Sequence, residues 1–367
     1  MLRFPAEMIE GVRATFERRR VVVTGGAGFI GGHLVDALVS LGARVRVIDD
    51  LSNSSAAALA DLADLEPERV AVVHGSILDR DALADAFAFE PADPGNGASR
   101  PVLVFHLAAV GSVPLSIEQP ARAWDVNATG TMRVLEALRA AGGGRIVFSS
   151  SSSIYGQGDP ANGGDRSPCD ESQPPRPLSP YAASKLAAEH LVETWSRTYG
   201  IDGVSLRYFN VFGPRQRADS AYAAVIPAFA RTMLAGEAPV IFGDGEQTRD
   251  FTFVANVVAA NLLAGAASGP PAGALANIGT GTATSLNELA GVLKGLVGGD
   301  APHPRHADPR HGEVRHSLAR IDRAADLLGY RPFVDLDAGL AETVGWHRAI
   351  VEAGADRSGL HPGGADR

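Results

Sequence analysis

The stretch VVVTGGAGFIGGHL, residues 21–34, combines an apolar run, a glycine-rich turn and the start of a helix-forming segment. Gly25, Gly28 and Gly31 recur at every third position of this turn. Glycines at a strand-to-helix junction allow a tight turn, and they let backbone N–H groups approach a pyrophosphate at the helix N-terminus. Because a predicted strand precedes the turn and a predicted helix follows it, we interpret this stretch as a dinucleotide-binding loop rather than an ordinary packing turn.

The end of the next predicted strand indicates which dinucleotide binds. Asp49 closes the run RVRVIDD, residues 44–50, and lies 24 residues after Gly25. A carboxylate at this spacing accepts hydrogen bonds from the adenosine ribose hydroxyls. It would repel a 2′-phosphate, and no arginine follows directly to bind one. The sequence therefore predicts NAD, rather than NADP, as the cofactor.

Beyond the glycine loop, short apolar runs alternate with longer helical ones as far as RIVFSSS, residues 145–151. Strands that are apolar throughout, each followed by a helix, predict a parallel sheet covered on both faces. The predicted fold is α/β, a Rossmann-type doubly wound parallel sheet with a smaller C-terminal substrate-binding lobe. We place the boundaries as follows: the NAD-binding domain at 18–206, with 246–272 returning to it, the lobe at 207–245 and 273–350, and a disordered tail at 354–367.

Two connections are longer than the rest. The polar segment 90–101 is predicted to be a solvated insertion. The segment 156–180 leads directly into Tyr181, and long loops in compact domains often carry function. It is either a flap over a site or a variable surface loop.

Composition excludes several classes of function. The formal charge of −9 and the pI of about 5.6 leave no basic excess for nucleic acid or an anionic membrane. The single cysteine, Cys169, cannot form an internal disulfide and is typical of a reducing compartment. The charged N-terminus does not resemble a signal peptide, and no long apolar segment follows. We predict a cytoplasmic protein with no metal site.

A second short stretch carries chemistry. SPYAASKLAAEH, residues 179–190, contains Lys185, and the chain has only one other lysine, Lys294. Ser179 is a suitable N-cap, and the residues that follow favour helix. Tyr181 and Lys185 are then four positions apart and share a helix face. Taken alone, this pair is either a surface accident or the centre of a proton-transfer site.

The glycine loop, the run SSSSSIYG at residues 149–156 and the Tyr181–Lys185 pair occur in the order typical of the extended short-chain dehydrogenase/reductase family. More narrowly, residues 20–345 resemble the nucleotide-sugar 4-epimerases. The resemblance implies a catalytic set of Ser151, Tyr181 and Lys185, with Ser150 or Ser152 as the alternative serine. Lys185 would lower the pKa of Tyr181 and hold the nicotinamide ribose.

The resemblance also implies a set of cofactor-binding residues. Two of them depart from the family pattern, because Ser76 stands where Asp is usual and Asp50 where Asn is common. The predicted cofactor-binding residues are Gly25, Gly28, Phe29, Ile30, Gly31, Asp49, Asp50, Asn53, Ser54, Ser76, Ile77, Leu107, Ala108, Ala109, Asn127, Tyr181, Lys185 and Tyr208.

The substrate implied by the resemblance is a UDP-sugar. Arginine forks suit phosphates, so Arg249 and Arg310 are the candidates for the diphosphate, with surface salt bridges as the alternative interpretation. The predicted substrate-binding residues are Ser112, Ser151, Ser152, Asn210, Arg217, Val225, Arg249 and Arg310.

The residues after Ser151 distinguish the reaction types within the family. A 4,6-dehydratase would carry an Asp-Glu pair there and a decarboxylase a Glu, whereas this chain has Ser152 and Ser153. Simple epimerisation at carbon 4 through a 4-keto sugar remains. Less favoured interpretations are a 4,6-dehydratase, a nucleotide-sugar reductase and a non-catalytic NAD-binding protein.

The segment GPRQRADS, residues 213–220, resembles the corresponding segment of UDP-glucuronate epimerases, and Arg217 could bind a sugar carboxylate. The favoured reaction is therefore UDP-glucuronate to UDP-galacturonate. UDP-N-acetylglucosamine and UDP-glucose are the alternatives, since a small residue at Ala276 would leave room for a bulky sugar substituent. Family resemblance further implies a homodimer through paired helices.

Overall fold

A computed structural model describes residues 2–89, 100–158, 164, 167–218, 224–269, 272–298, 301–309 and 314–352. The strands are β1 (Arg20–Thr24), β2 (Arg44–Asp49), β3 (Val70–His74), β4 (Val102–His106), β5 (Gly144–Ser151), β6 (Asp202–Tyr208), β7 (Val211–Phe212), β8 (Val240–Phe242), β9 (Thr248–Arg249), β10 (Thr252–Phe253), β11 (Ala274–Ile278), β12 (Thr284–Ser285), β13 (Arg305–Ala307) and β14 (His316–Ser317).

The helices are α1 (Ala6–Phe16), α2 (Phe29–Ser40), α3 (Ala56–Leu65), α4 (Arg80–Phe87), α5 (Val113–Glu118), α6 (Pro120–Trp124), α7 (Gly130–Ala140), α8 (Pro180–Tyr199), α9 (Val225–Leu234), α10 (Val254–Ala266), α11 (Leu286–Val297), α12 (Asp322–Leu328) and α13 (Leu336–Glu352). A π-helical turn, Asp125–Thr129, precedes α7, and a 3₁₀ turn, Ser152–Tyr155, follows β5.

Seven strands form the central sheet in the order β11-β6-β5-β4-β1-β2-β3, and every neighbouring pair is parallel. The predicted doubly wound α/β fold is confirmed. β1 and β4 are neighbours although they are not consecutive in the chain, so the winding direction reverses between them. In sheets of this kind, ligands bind at the carboxyl ends of the strands beside that reversal.

The apolar strands are buried because both faces of the sheet are covered. Val21 and Val23 belong to one hydrophobic cluster, whereas Val22, which points the other way, belongs to a second. Leu103 and Val104 of β4 divide between the same two clusters. Apolar residues at successive positions, rather than alternating ones, are what a sheet buried on both faces requires.

The N-terminal helix extends the first domain beyond its predicted start at residue 18. Phe16, at the end of α1, is fully buried and stacks on Phe105 of β4 with ring centroids 6.3 Å apart. Val12 is also buried, and α1 packs on α10. Residues 6–16 therefore belong to the core of the large sheet.

The predicted second segment of the lobe, 273–350, contains β11. Its first strand, β11, hydrogen-bonds to β6 along its whole length and is therefore part of the central sheet. The remaining small strands pair as β10–β7, β12–β9–β14 and β13–β8. Within 246–272, α10 packs against α2 and β5, as expected for a segment that returns to the first domain.

No helix in the described ranges combines the length and apolar character needed to cross a bilayer. Most of the predicted insertion 90–101, parts of 156–180 and the predicted tail 354–367 lie outside the described residues.

Candidate functional site

A cleft of about 1640 Å³ opens at the carboxyl ends of β1 and β4 and continues along β5 and β6. Of the predicted cofactor-binding residues, Asn127 does not line it. Of the predicted substrate-binding residues, Val225 does not line it and Arg310 lies outside the described residues. The predicted residues that the fold brings to the cleft are Gly25, Gly28, Phe29, Ile30, Gly31, Asp49, Asp50, Asn53, Ser54, Ser76, Ile77, Leu107, Ala108, Ala109, Ser112, Ser151, Ser152, Tyr181, Lys185, Tyr208, Asn210, Arg217 and Arg249.

The glycine loop has the backbone geometry that a pyrophosphate site requires. Gly25 has φ 70°, and a Cβ there would lie 2.7 Å from the Ala108 nitrogen. A Cβ on Gly31 would collide with the Gly25 carbonyl. Gly28 is the N-cap of α2, so the first free N–H groups of that helix face the cleft. Side chains are excluded where a dinucleotide must approach, which fits NAD.

Asp49 ends β2 and is held rigidly beside this loop. One carboxylate oxygen accepts the Ala27 N–H at 2.9 Å, and the other accepts the Leu51 N–H and the Ser54 hydroxyl, both at 2.9 Å. Two carboxylate oxygens offer about four acceptor positions, so capacity remains for a ribose hydroxyl. Across the cleft, the Ser76 oxygen accepts the Leu78 N–H, which leaves its own O–H available as a donor.

A buried polar chain connects β1 to the start of α7. Thr131 donates to the Asn127 carbonyl at 2.6 Å and therefore accepts from Nε2 of His106, 2.9 Å away. His106 Nδ1 is then an acceptor for the Thr24 hydroxyl at 2.6 Å, and Thr24 in turn accepts the Ala108 N–H. Burial lowers the pKa of His106 to about 3, which keeps the imidazole neutral in this single tautomer.

Asn127 continues this chain to α8, the helix that carries Tyr181 and Lys185. Its amide oxygen accepts the Val110 N–H at 2.8 Å, and its amide nitrogen donates to the Val110 carbonyl and to the Ser184 hydroxyl. Ser184 donates to the Tyr181 carbonyl at 2.8 Å. Asn127 thus fixes the loop after β4 against α8, and its predicted direct contact with the cofactor stays a prediction.

Tyr181 lies in the first turn of α8. Ser179 caps this helix by accepting the Ala182 N–H at 3.1 Å, and the Tyr181 N–H donates to the Ser116 hydroxyl at 3.0 Å. The side-chain hydroxyl of Tyr181 is hydrogen-bonded to Ser151. The helix start is therefore fixed on both sides, and the phenol is directed at the end of β5.

Consecutive serines at the end of β5 have different partners because side chains alternate along a strand. The hydroxyl of Ser149 lies 2.9 Å from that of Tyr208, and Ser150 donates to Glu189 at 2.5 Å. Of the three serines considered from the sequence, Ser151 is the one that reaches Tyr181, whereas Ser152 lines the cleft one residue further on.

Lys185 lies behind Tyr181 and is only 3% exposed. Its ammonium donates to the Ser149 carbonyl at 2.8 Å and lies 4.9 Å from the centre of the Phe148 ring. Burial lowers the pKa of Lys185 to about 7, and the nearby Glu189 carboxylate opposes this by raising it. The side chain of Lys185 therefore changes its protonation state near neutral pH.

The sequence predicted a lowered pKa for Tyr181, whereas in the protein without cofactor the pKa of this phenol is raised. Withdrawal of the phenol from water raises its pKa, and the hydrogen bond from Ser151 only partly offsets this. A nearby cation stabilises the phenolate, but burial disfavours it, and the burial of Tyr181 is visible only in the folded structure.

The substrate side of the cleft contains polar and cationic groups. Arg217 and Asn210 line it, and the Arg249 guanidinium donates to the Thr248 carbonyl at 2.9 Å. Ser112 caps α5 by accepting the Leu115 N–H at 3.2 Å.

One sequence-based expectation about this side was wrong. Ala276 is 1% exposed within β11 and belongs to the hydrophobic core, so it does not shape the cleft. Other small residues do line the cleft, among them Ser317 of β14.

Sequence reasoning missed three features of the site: the Ser149 carbonyl that anchors Lys185, the neutral His106 and the buried Glu189. A usable signal existed for Glu189, since it follows Lys185 by four positions on the same helix. No signal marked the Ser149 carbonyl, because it is a backbone group.

The comparisons with known proteins agree with this geometry. The family model described as NAD dependent epimerase/dehydratase family matches residues 21–279. The chain is 39% identical over 331 residues to the UDP-glucose 4-epimerase of Mycolicibacterium smegmatis, covering 90% of this chain and 98% of that protein.

Two solved structures are similar along nearly their whole length. The UDP-N-acetylglucosamine 4-epimerase from Methanobrevibacter ruminantium, in complex with UDP-N-acetylmuramic acid, has a TM-score of 0.80 at 36% identity, covering 91% of this chain and 99% of that one. The UDP-glucuronic acid 4-epimerase from Bacillus cereus, in complex with NAD and a fluorinated UDP-glucuronic acid, has a TM-score of 0.78 at 29% identity, covering 90% and 99%.

The family match confirms both the resemblance and NAD as the cofactor. It does not choose among the sugars, because relatives named for glucose, N-acetylglucosamine and glucuronate match at similar identity. With its glycine loop, its seven-stranded parallel sheet and its Ser151–Tyr181–Lys185 cluster, this chain belongs to the NAD dependent epimerase/dehydratase family.

Proposed function

We propose that this protein is a UDP-sugar 4-epimerase whose preferred reaction is the interconversion of UDP-glucuronate and UDP-galacturonate. The observation that carries the reaction type is that Ser151, Tyr181 and Lys185 meet at one cleft, where Lys185 is buried and donates to the Ser149 carbonyl. A hydroxyl pair backed by an ammonium can take up and return one proton.

The cofactor would be held by the glycine loop, by Asp49 and by the loop after β4. Bound NAD would supply the reversible acceptance of a hydride from carbon 4 of the sugar. Tyr181 would take the proton from the 4-hydroxyl, and Ser151 would hydrogen-bond the same oxygen and pass the proton on. Lys185 would stabilise the phenolate while it exists.

The residues next to Ser151 support epimerisation over dehydration. Ser152 and Ser153 have no carboxylate with which to remove a proton from carbon 5. Among the described residues that line the cleft, the carboxylates are Asp36, Asp49, Asp50 and Asp61, on α2, at the end of β2 and on α3. These four carboxylates lie on other elements than Ser151, which ends β5, and Tyr181, which lies on α8. The proposed acid–base groups beside the sugar are therefore the hydroxyls of Ser151 and Tyr181.

The choice of uronate rests on Arg217. This guanidinium lines the substrate side of the cleft together with Asn210 and Arg249, and it can bind a carboxylate through two parallel hydrogen bonds. UDP-N-acetylglucosamine is the second candidate, because a solved structure named for that sugar resembles this chain at 36% identity.

A panel of nucleotide sugars tests the proposal. Purified protein is incubated separately with UDP-glucuronate, UDP-glucose and UDP-N-acetylglucosamine, without added reductant, and the products are identified by NMR. We expect UDP-galacturonate to form with the highest kcat/KM and no net change at the nicotinamide absorbance band. Equal kcat/KM for UDP-glucose and UDP-glucuronate would overturn the substrate preference, and net oxidation or reduction would overturn the reaction type.

We also propose the homodimer that the family resemblance implies. Ile117 of α5 and Trp124 of α6 are 63% and 50% exposed, and both helices pack beside α8. A second copy of these paired helices would cover such side chains. Sedimentation equilibrium should give twice the chain mass, and a monomer at micromolar concentration would contradict the proposal.

A further inference from the structure

A buried ion pair lies directly behind the catalytic helix. Glu189 is 7% exposed and Arg207 of β6 is 3% exposed. Nε and Nη2 of Arg207 donate to the two carboxylate oxygens of Glu189 at 2.9 and 2.8 Å. The pair is therefore bidentate and almost completely withdrawn from water.

Stability alone does not account for such a pair. Removing two charges from water costs several kcal/mol each, and apolar replacements of buried pairs are often neutral or stabilising. Because the Glu189–Arg207 pair lies beside Lys185, we looked for a functional reason for it. The position of the carboxylate on α8 supplies one.

Glu189 and Lys185 are one helical turn apart, and both hold the end of β5. Ser150 donates its hydroxyl to Glu189 at 2.5 Å, and Lys185 donates to the Ser149 carbonyl at 2.8 Å. These contacts involve the two residues immediately before Ser151. The spacing between α8 and the Ser151 end of β5 is thereby fixed at two adjacent points.

Arg207 is itself immobilised on the far side of the pair. Its Nη1 donates to the Tyr155 hydroxyl at 2.8 Å, and its guanidinium lies 4.8 Å from the centre of the same ring. Tyr155 donates to the amide oxygen of Asn277 in β11 at 2.7 Å. These contacts hold the guanidinium in one position, and its two hydrogen bonds hold the Glu189 carboxylate in place.

The charge of Glu189 acts on a lysine with few other electrostatic partners. Glu189 is the anionic group that raises the Lys185 pKa against the effect of burial. His106 stays neutral, since its pKa is about 3. Tyr181 and Glu189 share α8 with Lys185, and His106 of β4 interacts with it electrostatically. The strand β6, which packs against α8, carries the titratable residues Arg207 and Tyr208.

We propose that Glu189 is a positioning residue of the epimerase site, which keeps the Lys185 side chain protonated and locks α8 to the strand end that carries Ser151. This inference rests on the proposed function. Its most direct test reads the lysine itself, so it does not depend on which sugar is turned over.

The chain has only two lysines, so ¹³C-lysine labelling of the holoenzyme gives two side-chain resonances. A Lys294→Arg variant identifies the signal of Lys185. We expect Glu189→Gln to lower the Lys185 titration midpoint by about one pH unit, because the stabilising carboxylate charge is lost. In the proposed mechanism the protonated lysine is the active form. The basic limb of the profile of kcat against pH should therefore shift to lower pH by the same amount. An unchanged midpoint would overturn the proposal.

A matched control uses the other end of the same strand pair. Arg145 and Asp202 are opposite one another in the register of β5 and β6, and they form an ion pair far from the cleft. Asp202→Asn should lower the free energy of unfolding but leave the Lys185 midpoint and the shape of the pH profile unchanged. An equal shift in this control would remove any special role for Glu189.

A double variant covers the case in which Glu189→Gln does not fold. Glu189→Gln with Arg207→Gln removes both charges of the ion pair together, so neither is left without its partner. The Lys185 midpoint should still fall below the wild-type value, because Glu189 is the charged group that acts on the lysine. A midpoint at or above the wild-type value would contradict the proposal. If the wild type turned over no nucleotide sugar, the proposed function would fail while this titration still measured the effect of Glu189.

Discussion

Tyr181 is a phenol whose surroundings work against its ionisation. Withdrawal from water raises its pKa, and Ser151 lowers it only in part. A base at neutral pH must therefore draw on positive charge nearby. At the scale of single residues, the reactivity of the site depends on whether Lys185 keeps its proton.

Replacing the phenol tests this most simply. Tyr181→Phe should lower kcat by about a thousandfold, as expected for loss of a general base, while the protein still binds NAD. NAD content is measured by releasing the cofactor from purified protein. Tyr199→Phe is the matched control, because Tyr199 lies at the exposed end of the same helix. A rate close to that of the wild type in Tyr181→Phe would contradict the assigned role.

Arg217 tests the substrate preference. Arg217→Ala should lower kcat/KM for UDP-glucuronate by about ten- to a hundredfold, since hydrogen bonds to charged groups are worth about 1.5–3 kcal/mol. UDP-glucose, which lacks the carboxylate, is the internal control and should lose much less. A parallel loss for both sugars would assign Arg217 to the nucleotide rather than the uronate.

The candidate site was only partly predictable from the sequence. Tyr181 and Lys185 were predictable because helix spacing places them on one face. The choice among Ser150, Ser151 and Ser152 was open, since it depends on which way the end of β5 is turned relative to α8. Ala276 was misplaced for a similar reason: only the sheet shows that β11 is buried.

At the scale of elements, the junction between β1 and α2 was the most predictable part of the molecule. Its glycines mark positions where the backbone permits no side chain, and such constraints are visible in the sequence. The end of β5 was less predictable, because its contacts to α8 and β6 join residues that are far apart in the chain.

Two neighbouring glycines test the cofactor loop. A Cβ at Gly31 would collide with the Gly25 carbonyl, so Gly31→Ala should distort the loop and reduce the NAD content of the purified protein. In Gly32→Ala the nearest atom would be Nη1 of Arg215 at 3.5 Å, an ordinary contact, and NAD content should be unchanged. Equal NAD retention in both variants would show that close backbone approach does not govern binding.

The packing of α1 and β11 could not be predicted from the sequence. α1 precedes the alternating pattern, and its role appears only through the packing of Phe16 on Phe105. β11 follows the lobe in the chain but returns to the edge of the central sheet. Tertiary packing determines where both elements lie, and local helix or strand propensity does not predict it. The domain boundaries as a whole stay a prediction.

At the scale of the whole molecule, acid should destabilise the protein through buried neutral histidines. Burial lowers the pKa of His33 to about 4, of His106 to about 3 and of His347 to about 4. Unfolding restores pKa values near 6.5. Between about pH 6.5 and 4, the unfolded chain therefore binds more protons than the folded one, so the free energy of unfolding falls as the pH falls.

His106 makes this effect measurable. His106→Gln should reduce the pH dependence of unfolding in this window by about 1.4 kcal/mol per pH unit, the contribution of one proton. Urea unfolding at several pH values between 4.5 and 7 gives the slope. His190→Gln, an exposed histidine on α8, is the control and should keep the wild-type slope. An unchanged slope in His106→Gln would mean that the imidazole is already charged in the folded protein.

In the proposed reaction, a proton moves through Tyr181 while the hydrogen on carbon 4 leaves one face of the sugar and returns to the other. The most direct measurement uses UDP-glucuronate deuterated at carbon 4, with product NMR and no added cofactor. We predict UDP-galacturonate that retains deuterium at carbon 4. Deuterium lost to solvent, or a product of changed oxidation state, would contradict the account.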